Sequence, residues 1–179
     1  IVDLTTFKFE SDTTLYAVWI KAETYTVTFN ANGHGQTTVE FVKVADGNQI
    51  QQPSDPIADN GYEFSGRWCE TSSPCTEETK FNFDEREITQ SIVLYADWNV
   101  SEYNITYNID GKPNTETGNP TTYKVDSDLI TLVKPEKAGH VFDGWYDENG
   151  NEATTILKGS FGNRTFHGSW IPVTYTITY

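Results

Sequence analysis

"TLYAVW" (Thr14–Trp19) returns as "VLYADW" (Val93–Trp98) and again as "TFHGSW" (Thr165–Trp170), and this thrice-written ending decides the fold. The three closing tryptophans stand 79 and 72 residues apart. Side chains alternate across a strand, so Leu15, Ala17 and Trp19 share one face, as do Leu94, Ala96 and Trp98, and Phe166, Gly168 and Trp170. Each copy runs large, small, large. The small residue is expected to leave room for a big side chain from another strand, Phe64 or Phe142, and the tryptophan to close one end of a core. A module needs its own core, so a chain of modules repeats that strand.

Other strings recur in the same order. "YTVTFN" (Tyr25–Asn30) returns as "YNITYN" (Tyr103–Asn108), and "YTITY" (Tyr175–Tyr179) closes the chain. "GYEFSGRW" (Gly61–Trp68) answers "GHVFDGWY" (Gly139–Tyr146), and "FKF" (Phe7–Phe9) answers "FNF" (Phe81–Phe83). Self-similarity at one period marks a repeat architecture. The register gives residues 1–21 as the last strands of a preceding repeat, 22–99 and 100–171 as complete modules, and 172–179 as the first strand of a following repeat. The links "IKAET" (Ile20–Thr24) and "NVSE" (Asn99–Glu102) are short and polar, which predicts a semi-rigid string of modules. The period-two alternation of Tyr25, Val27, Phe29 and of Tyr103, Ile105, Tyr107 is strand patterning, and runs such as "NANGHG" (Asn30–Gly35) are turn chemistry. No helical period is convincing. The fold expected is mainly β, α+β at most, with little or no helix. Its core is expected at Leu15, Trp19, Val27, Phe29, Phe64, Leu94, Trp98, Ile105, Tyr107, Phe142, Phe166 and Trp170.

The 179 residues carry 26 acidic and 12 basic side chains, a formal net charge of −14. Phosphate backbones are bound by Lys and Arg, so nucleic acid is excluded as a partner class and heparin-like polyanions are disfavoured. An aromatic share of 14% is globular composition, able to offset chain entropy by burial. No apolar run is long enough to span a bilayer, so no membrane insertion is expected in this segment. The chain opens on Ile1 and contains no Met, which gives the expectation of a piece of a longer protein.

The strings "GNPTTYKVDSDLITLVKPEKAGHVFDGWYDENG" (Gly118–Gly150), "GSFGNRTFHGSW" (Gly159–Trp170), "YTVTFNANG" (Tyr25–Gly33) and "IVLYADW" (Ile92–Trp98) resemble the Listeria–Bacteroides repeat, the B-repeat type of module of internalin-like bacterial surface proteins. The likeness covers essentially the whole chain. It implies tandem β-grasp-like modules in an extracellular, cell-surface or secreted bacterial protein, serving as adhesin stalk, spacer or protein-interaction array. It carries over no catalytic residue. One departure stands out: "FSGRW" (Phe64–Trp68) sets Arg67 where "FDGWY" (Phe142–Tyr146) has Trp145. Either Trp145 is partly exposed and replaceable, or the middle copy carries a bulge.

Cys69 and Cys75 are the only cysteines, in an insert of the first complete module. In an exported protein a disulfide across the loop is expected; the metal alternative has neither a C-x2-C pair nor a local histidine. "DENGNE" (Asp147–Glu152) resembles a calcium loop only superficially, its Gly and Lys158 falling where an EF-hand needs other residues. No nucleophile, base and orienting group are arranged as a trio, so no enzyme, cofactor or metal is expected. Tyr16, Tyr95 and Trp145 are the candidates for outward aromatics that stack on a sugar or a partner, with cover of a strand face or a module–module contact as the alternative. A carbohydrate-binding accessory module of a secreted enzyme is the second functional class. Unpaired strands at the two ends give a further expectation of head-to-tail contacts between chains.

Overall fold

The computed structural model describes residues 11, 12, 14, 16 and 21–179. Most of the segment 1–21, with Leu15 and Trp19, lies outside the described residues. The rest is mainly β, as expected, with no helix among the described residues. The β-grasp designation rests on the sequence resemblance alone.

The first module contains β1 (Thr24–Asn30), β2 (Gly35–Gln36), β3 (Phe41–Ala45), β4 (Ile57–Ala58), β5 (Tyr62–Cys69) and β6 (Ile92–Val100). Its main sheet has the order β3-β1-β6-β5. The centre is a parallel pair, β1 with β6, flanked by antiparallel β3 and β5. Alternation along β1 puts Val27 and Phe29 inward, while Asn30 is exposed. These pack with Leu94, Ala96, Trp68, Phe81 and Ile88 into one core.

The second module contains β7 (Glu102–Ile109), β8 (Lys112–Pro113), β9 (Thr122–Lys124), β10 (Ile130–Thr131), β11 (His140–Phe142), β12 (Thr155–Ile156), β13 (Arg164–Gly168) and β14 (Trp170–Pro172). Again the first and closing strands, β7 and β13, are parallel neighbours. The first module sets Val27 beside Ile92 and Phe29 beside Leu94; the second sets Ile105 beside Arg164 and Tyr107 beside Phe166. The antiparallel pairing repeats in the same way, Phe64 opposite Trp98 and Phe142 opposite Trp170. Each pair is displaced by the same two sequence intervals, so the repeat holds in hydrogen-bond register as well as in letters. The second core joins Ile105, Tyr107, Tyr123, Leu132, Phe142, Trp145, Ile156 and Phe166.

The small residue of the closing strand works as expected in the second module. A Cβ on Gly168 would lie 2.7 Å from Phe142 Cε2 and 2.8 Å from the Gly144 carbonyl oxygen. The closing tryptophans differ from expectation. Trp98 and Trp170, like Phe64, are only partly buried at the rim of their clusters. They sit where β6 and β14 run out of the core, and the fully enclosed indoles are Trp68 and Trp145.

The expected polar linker at 99–102 is strand. Asn99 and Val100 end β6, Glu102 begins β7, and Ser101 alone separates them. The Ser101 amide donates to the Gly61 carbonyl (2.9 Å), and Val173 repeats that bond to Gly139 (2.9 Å). At the junction Gly61 is buried, and a Cβ there would fall 2.6 Å from Val125 Cβ. Residues 173–179 form no strand, and Tyr175, Ile177 and Tyr179 are exposed. The opening-strand pattern is present at 175–179, but among the described residues it pairs with no other strand.

Candidate functional site

The aromatic candidates separate on inspection. Trp145 is 2% exposed. Its ring lies against Phe142 (4.7 Å between centroids) and Tyr107 (5.1 Å), and its Nε1–H donates to the Val133 carbonyl (2.8 Å). A ring enclosed in this way has no face to offer a ligand, so Trp145 is a core residue. Tyr95 is half-buried on β6 opposite Cys69, in the other module, and the structure does not bring the two aromatics together.

The reason the two copies mislead at this point is a bulge, the second of the two alternatives. Between Phe64 and Trp68 the β5–β6 register shifts, and Trp68 comes to lie opposite Ala96. In the second module Tyr146 pairs with His167, which sets Trp145 beside Gly168. Trp68 is therefore the counterpart of Trp145, and Arg67 is an extra residue in a wider bulge. Trp68 packs on Phe29 (5.0 Å) and Phe64 (5.6 Å), the same pair of positions that hold Trp145. Its Nε1–H is buried without an acceptor among the described residues. Arg67, pushed out by the bulge, reaches Asp97 with Nη2 (2.7 Å) and Nε (3.1 Å), and the Ser65 hydroxyl donates to the same carboxylate (2.7 Å).

Cys69 and Cys75 are joined in a disulfide. Cys69 is fully buried at the end of β5, and the loop it closes is also held by the Glu70 amide on the Thr79 carbonyl (2.8 Å). The bridge thus ties an exposed insert to the core edge. The 147–152 segment is a turn. Asp147 Oδ1 accepts the amides of Asn149 and Asn151 (2.9 Å each), which holds the Asp147 carboxyl below its ordinary value, the Asn151 bonds being the larger cause. The carboxylate is spent on its own loop. Among the described residues no three His, Cys, Asp or Glu side chains gather as a metal site. Burial pushes the Tyr107 hydroxyl up to about 12, and it donates to the Pro120 carbonyl (2.9 Å).

The histidines are scattered. His34 stacks on Tyr62 (4.0 Å), His140 stands 6.4 Å from Trp170, and His167 is exposed with its backbone paired to Tyr146. Two of the open grooves among the described residues stand beside the cores. One, of about 650 Å³, runs past Gln49–Gln52 and Lys80–Asp84 in the first module. The other, of about 690 Å³, lies between the 134–142 segment and Trp170 in the second. Sequence reasoning missed the second groove, because what creates it is the length of a distant turn.

The family model of the Listeria–Bacteroides repeat domain matches the chain twice, at residues 25–97 and 103–166. A protein described as a putative membrane protein of Evansella cellulosilytica is 30% identical over 171 residues, covering 93% of this chain and 24% of that protein. A putative Gly-rich membrane protein of the same organism is 28% identical over 187 residues, covering 99% and 19%. Internalin H of Listeria monocytogenes is 36% identical over 126 residues, covering 70% and 20%. The chain thus spans less than a quarter of the length of each of these relatives. No solved structure matches.

Proposed function

Because the chain belongs to the Listeria–Bacteroides repeat family, we propose that it is a non-catalytic segment of a bacterial cell-surface or secreted protein, a semi-rigid spacer that also presents interaction surfaces. The observation that carries this is the junction. A strand of one module passes into the first strand of the next across Ser101 alone, and Gly61 is seated on Val125. Such a joint transmits direction along an array, which is what a stalk or adhesin spacer needs. The disulfide in the first module is consistent with an oxidising compartment. Relatives described as a membrane protein and an internalin agree with a place at the cell surface.

Antibodies raised against residues 25–170 test the placement. They should either label intact cells of the source organism, with the label vanishing after brief protease treatment, or detect the protein in the cell-free culture medium. Signal found only after lysis would overturn the proposal. The role as a carbohydrate-binding accessory module loses Trp145, whose ring is buried, while Tyr95 is half-buried and Tyr16 exposed.

A further inference from the structure

The two modules differ in how the closing tryptophan is covered. In the first module the 31–36 segment lies over the closing tryptophan. Trp98 Nε1–H donates to the Ala31 carbonyl (2.7 Å), and a Cβ on Gly35 would come 3.0 Å from Trp98 Cη2. Pairing of β2 with β4 and the stack of His34 on Tyr62 hold the segment there. In the second module the corresponding chain turns back at once. Asp110 and Gly111, with φ of 52° and 73°, form a tight hairpin that pairs β8 with β7. The counterparts of Tyr62 and Trp98 are His140 and Trp170, and they face an open groove.

That groove is basic in an acidic protein. Lys134, Glu136, Lys137, His140, Phe142 and Trp170 are among the residues that line it, two lysines against one carboxylate. Lys137 Nζ stands 5.6 Å from the centre of the Trp170 ring, and neither lysine has an ion-pair partner among the described residues. His140 Nδ1 donates to the Ala138 carbonyl (3.0 Å), which leaves Nε2 as an acceptor on a groove-lining side chain.

We propose that this groove binds an acidic saccharide, a sugar ring bearing a single carboxylate. The part of the Trp170 indole open to the groove forms an apolar floor for a pyranose face, Lys137 with Lys134 meets the carboxylate, and His140 accepts from a hydroxyl. Glu136 and the net charge of −14 disfavour a dense polyanion. An acidic peptide would use the lysines but not the flat floor. The site adds a ligand to the interaction role proposed above and depends on that reading only for access to such sugars; binding by the purified chain tests it separately.

The test is an NMR titration of the whole chain, following the indole N–H signals, with digalacturonic acid, its methyl ester, and tetraglutamate as probes. Digalacturonic acid should shift the Trp170 signal (assigned with Trp170→Phe) and leave those of Trp68 and Trp145 in place. The uncharged ester should bind about tenfold more weakly, and Lys137→Ala should weaken the acid about tenfold, as the loss of one charge-assisted contact implies. The unmoved Trp68 and Trp145 signals in Lys137→Ala report that the fold is intact. Equal binding of acid and ester, no shift up to about 10 mM acid, wild-type binding by Lys137→Ala, or tighter binding of tetraglutamate would each overturn the proposal.

Discussion

Replacing each enclosed tryptophan by phenylalanine separates two effects that are usually fused. Trp68→Phe and Trp145→Phe remove the same atoms from equivalent places, each ring 2% exposed and packed on the first strand and on Phe64 or Phe142. The shared loss, transfer plus cavity, is about 1–3 kcal/mol, less than the ~3–5 kcal/mol of truncation to alanine. The polar accounts differ. Trp145→Phe loses a hydrogen bond to Val133 O, a net loss of about 1 kcal/mol, and that carbonyl keeps a second donor in Asn119 Nδ2 (2.9 Å). Trp68→Phe removes a buried N–H with no acceptor, and so relieves about 1–3 kcal/mol of desolvation cost. The second module should therefore suffer more than the first, by about 2–4 kcal/mol. In domains of this size 1 kcal/mol moves a midpoint by roughly 4–8 °C. Calorimetry of the whole chain should show Trp145→Phe lowering the midpoint of its own module by at least about 8 °C more than Trp68→Phe lowers its own. Equal shifts, or a larger one for Trp68→Phe, would refute the assignment of an unsatisfied indole and the equivalence on which the comparison rests.

Gly61→Ala should destabilise and loosen the junction, because its Cβ would enter Val125, whereas Gly139→Ala, at a similar positive φ (+70) but in open space, should cost only the conformational strain of about 1–2 kcal/mol; urea unfolding and inter-module spin-label distances distinguish them. Cys69→Ala with Cys75→Ala should cost about 2 kcal/mol by the chain-entropy account and raise amide exchange over 70–79 while the β1–β6 amides stay protected; global loss of protection would show that the bridge holds the module itself. Asp147, whose folded pKa is depressed, contributes stability that is complete above its unfolded value and is lost as pH falls through the lower folded value; carbon-13 titration should place its midpoint below that of an ordinary aspartate, and Asn151→Ala, which keeps the backbone donor but not the side chain, should bring it part of the way back up. In a concentration series, chains should associate weakly head to tail through Tyr175, Ile177 and Tyr179, and Ile177→Lys should abolish it; a chain that stays monomeric at all concentrations removes this proposal.

Much of the fold was legible because the chain writes it more than once. Val27 and Phe29 inward, Ile105 and Tyr107 inward, and the small residue at Gly168 all follow from period two applied to repeated strings. The parallel pairing of the first and closing strands was not read from the letters; repetition shows only that the two modules share whatever register one of them has. The tryptophans were not legible, because strings aligned letter by letter place Arg67 on Trp145, and only the strand across from them shows that Ala96 and Gly168 face Trp68 and Trp145. A bulge that adds one residue has no letter of its own. The closing tryptophans were over-read for a related reason: strand alternation gives the face of Trp98 and Trp170 but not how far along the core the strand end lies. The groove beside Trp170 depends on the length of the turn after β7, a feature of backbone path that composition does not report. The strand at Asn99 and Val100 was read as a linker from its polarity, yet a strand at the join of two sheets can be polar because its groups pair along the backbone.

The central claim is that the chain is two copies of one module, each built on a parallel pair of its first and closing strands and sharing one register. Cross-strand backbone NOEs on the isotopically labelled chain test it most directly. The account expects contacts that pair Phe29 with Leu94 and Tyr107 with Phe166 in parallel, together with Phe64 opposite Trp98 and Phe142 opposite Trp170. An antiparallel pattern between the first and closing strands of either module, or a register displaced by one residue in one module relative to the other, would contradict it.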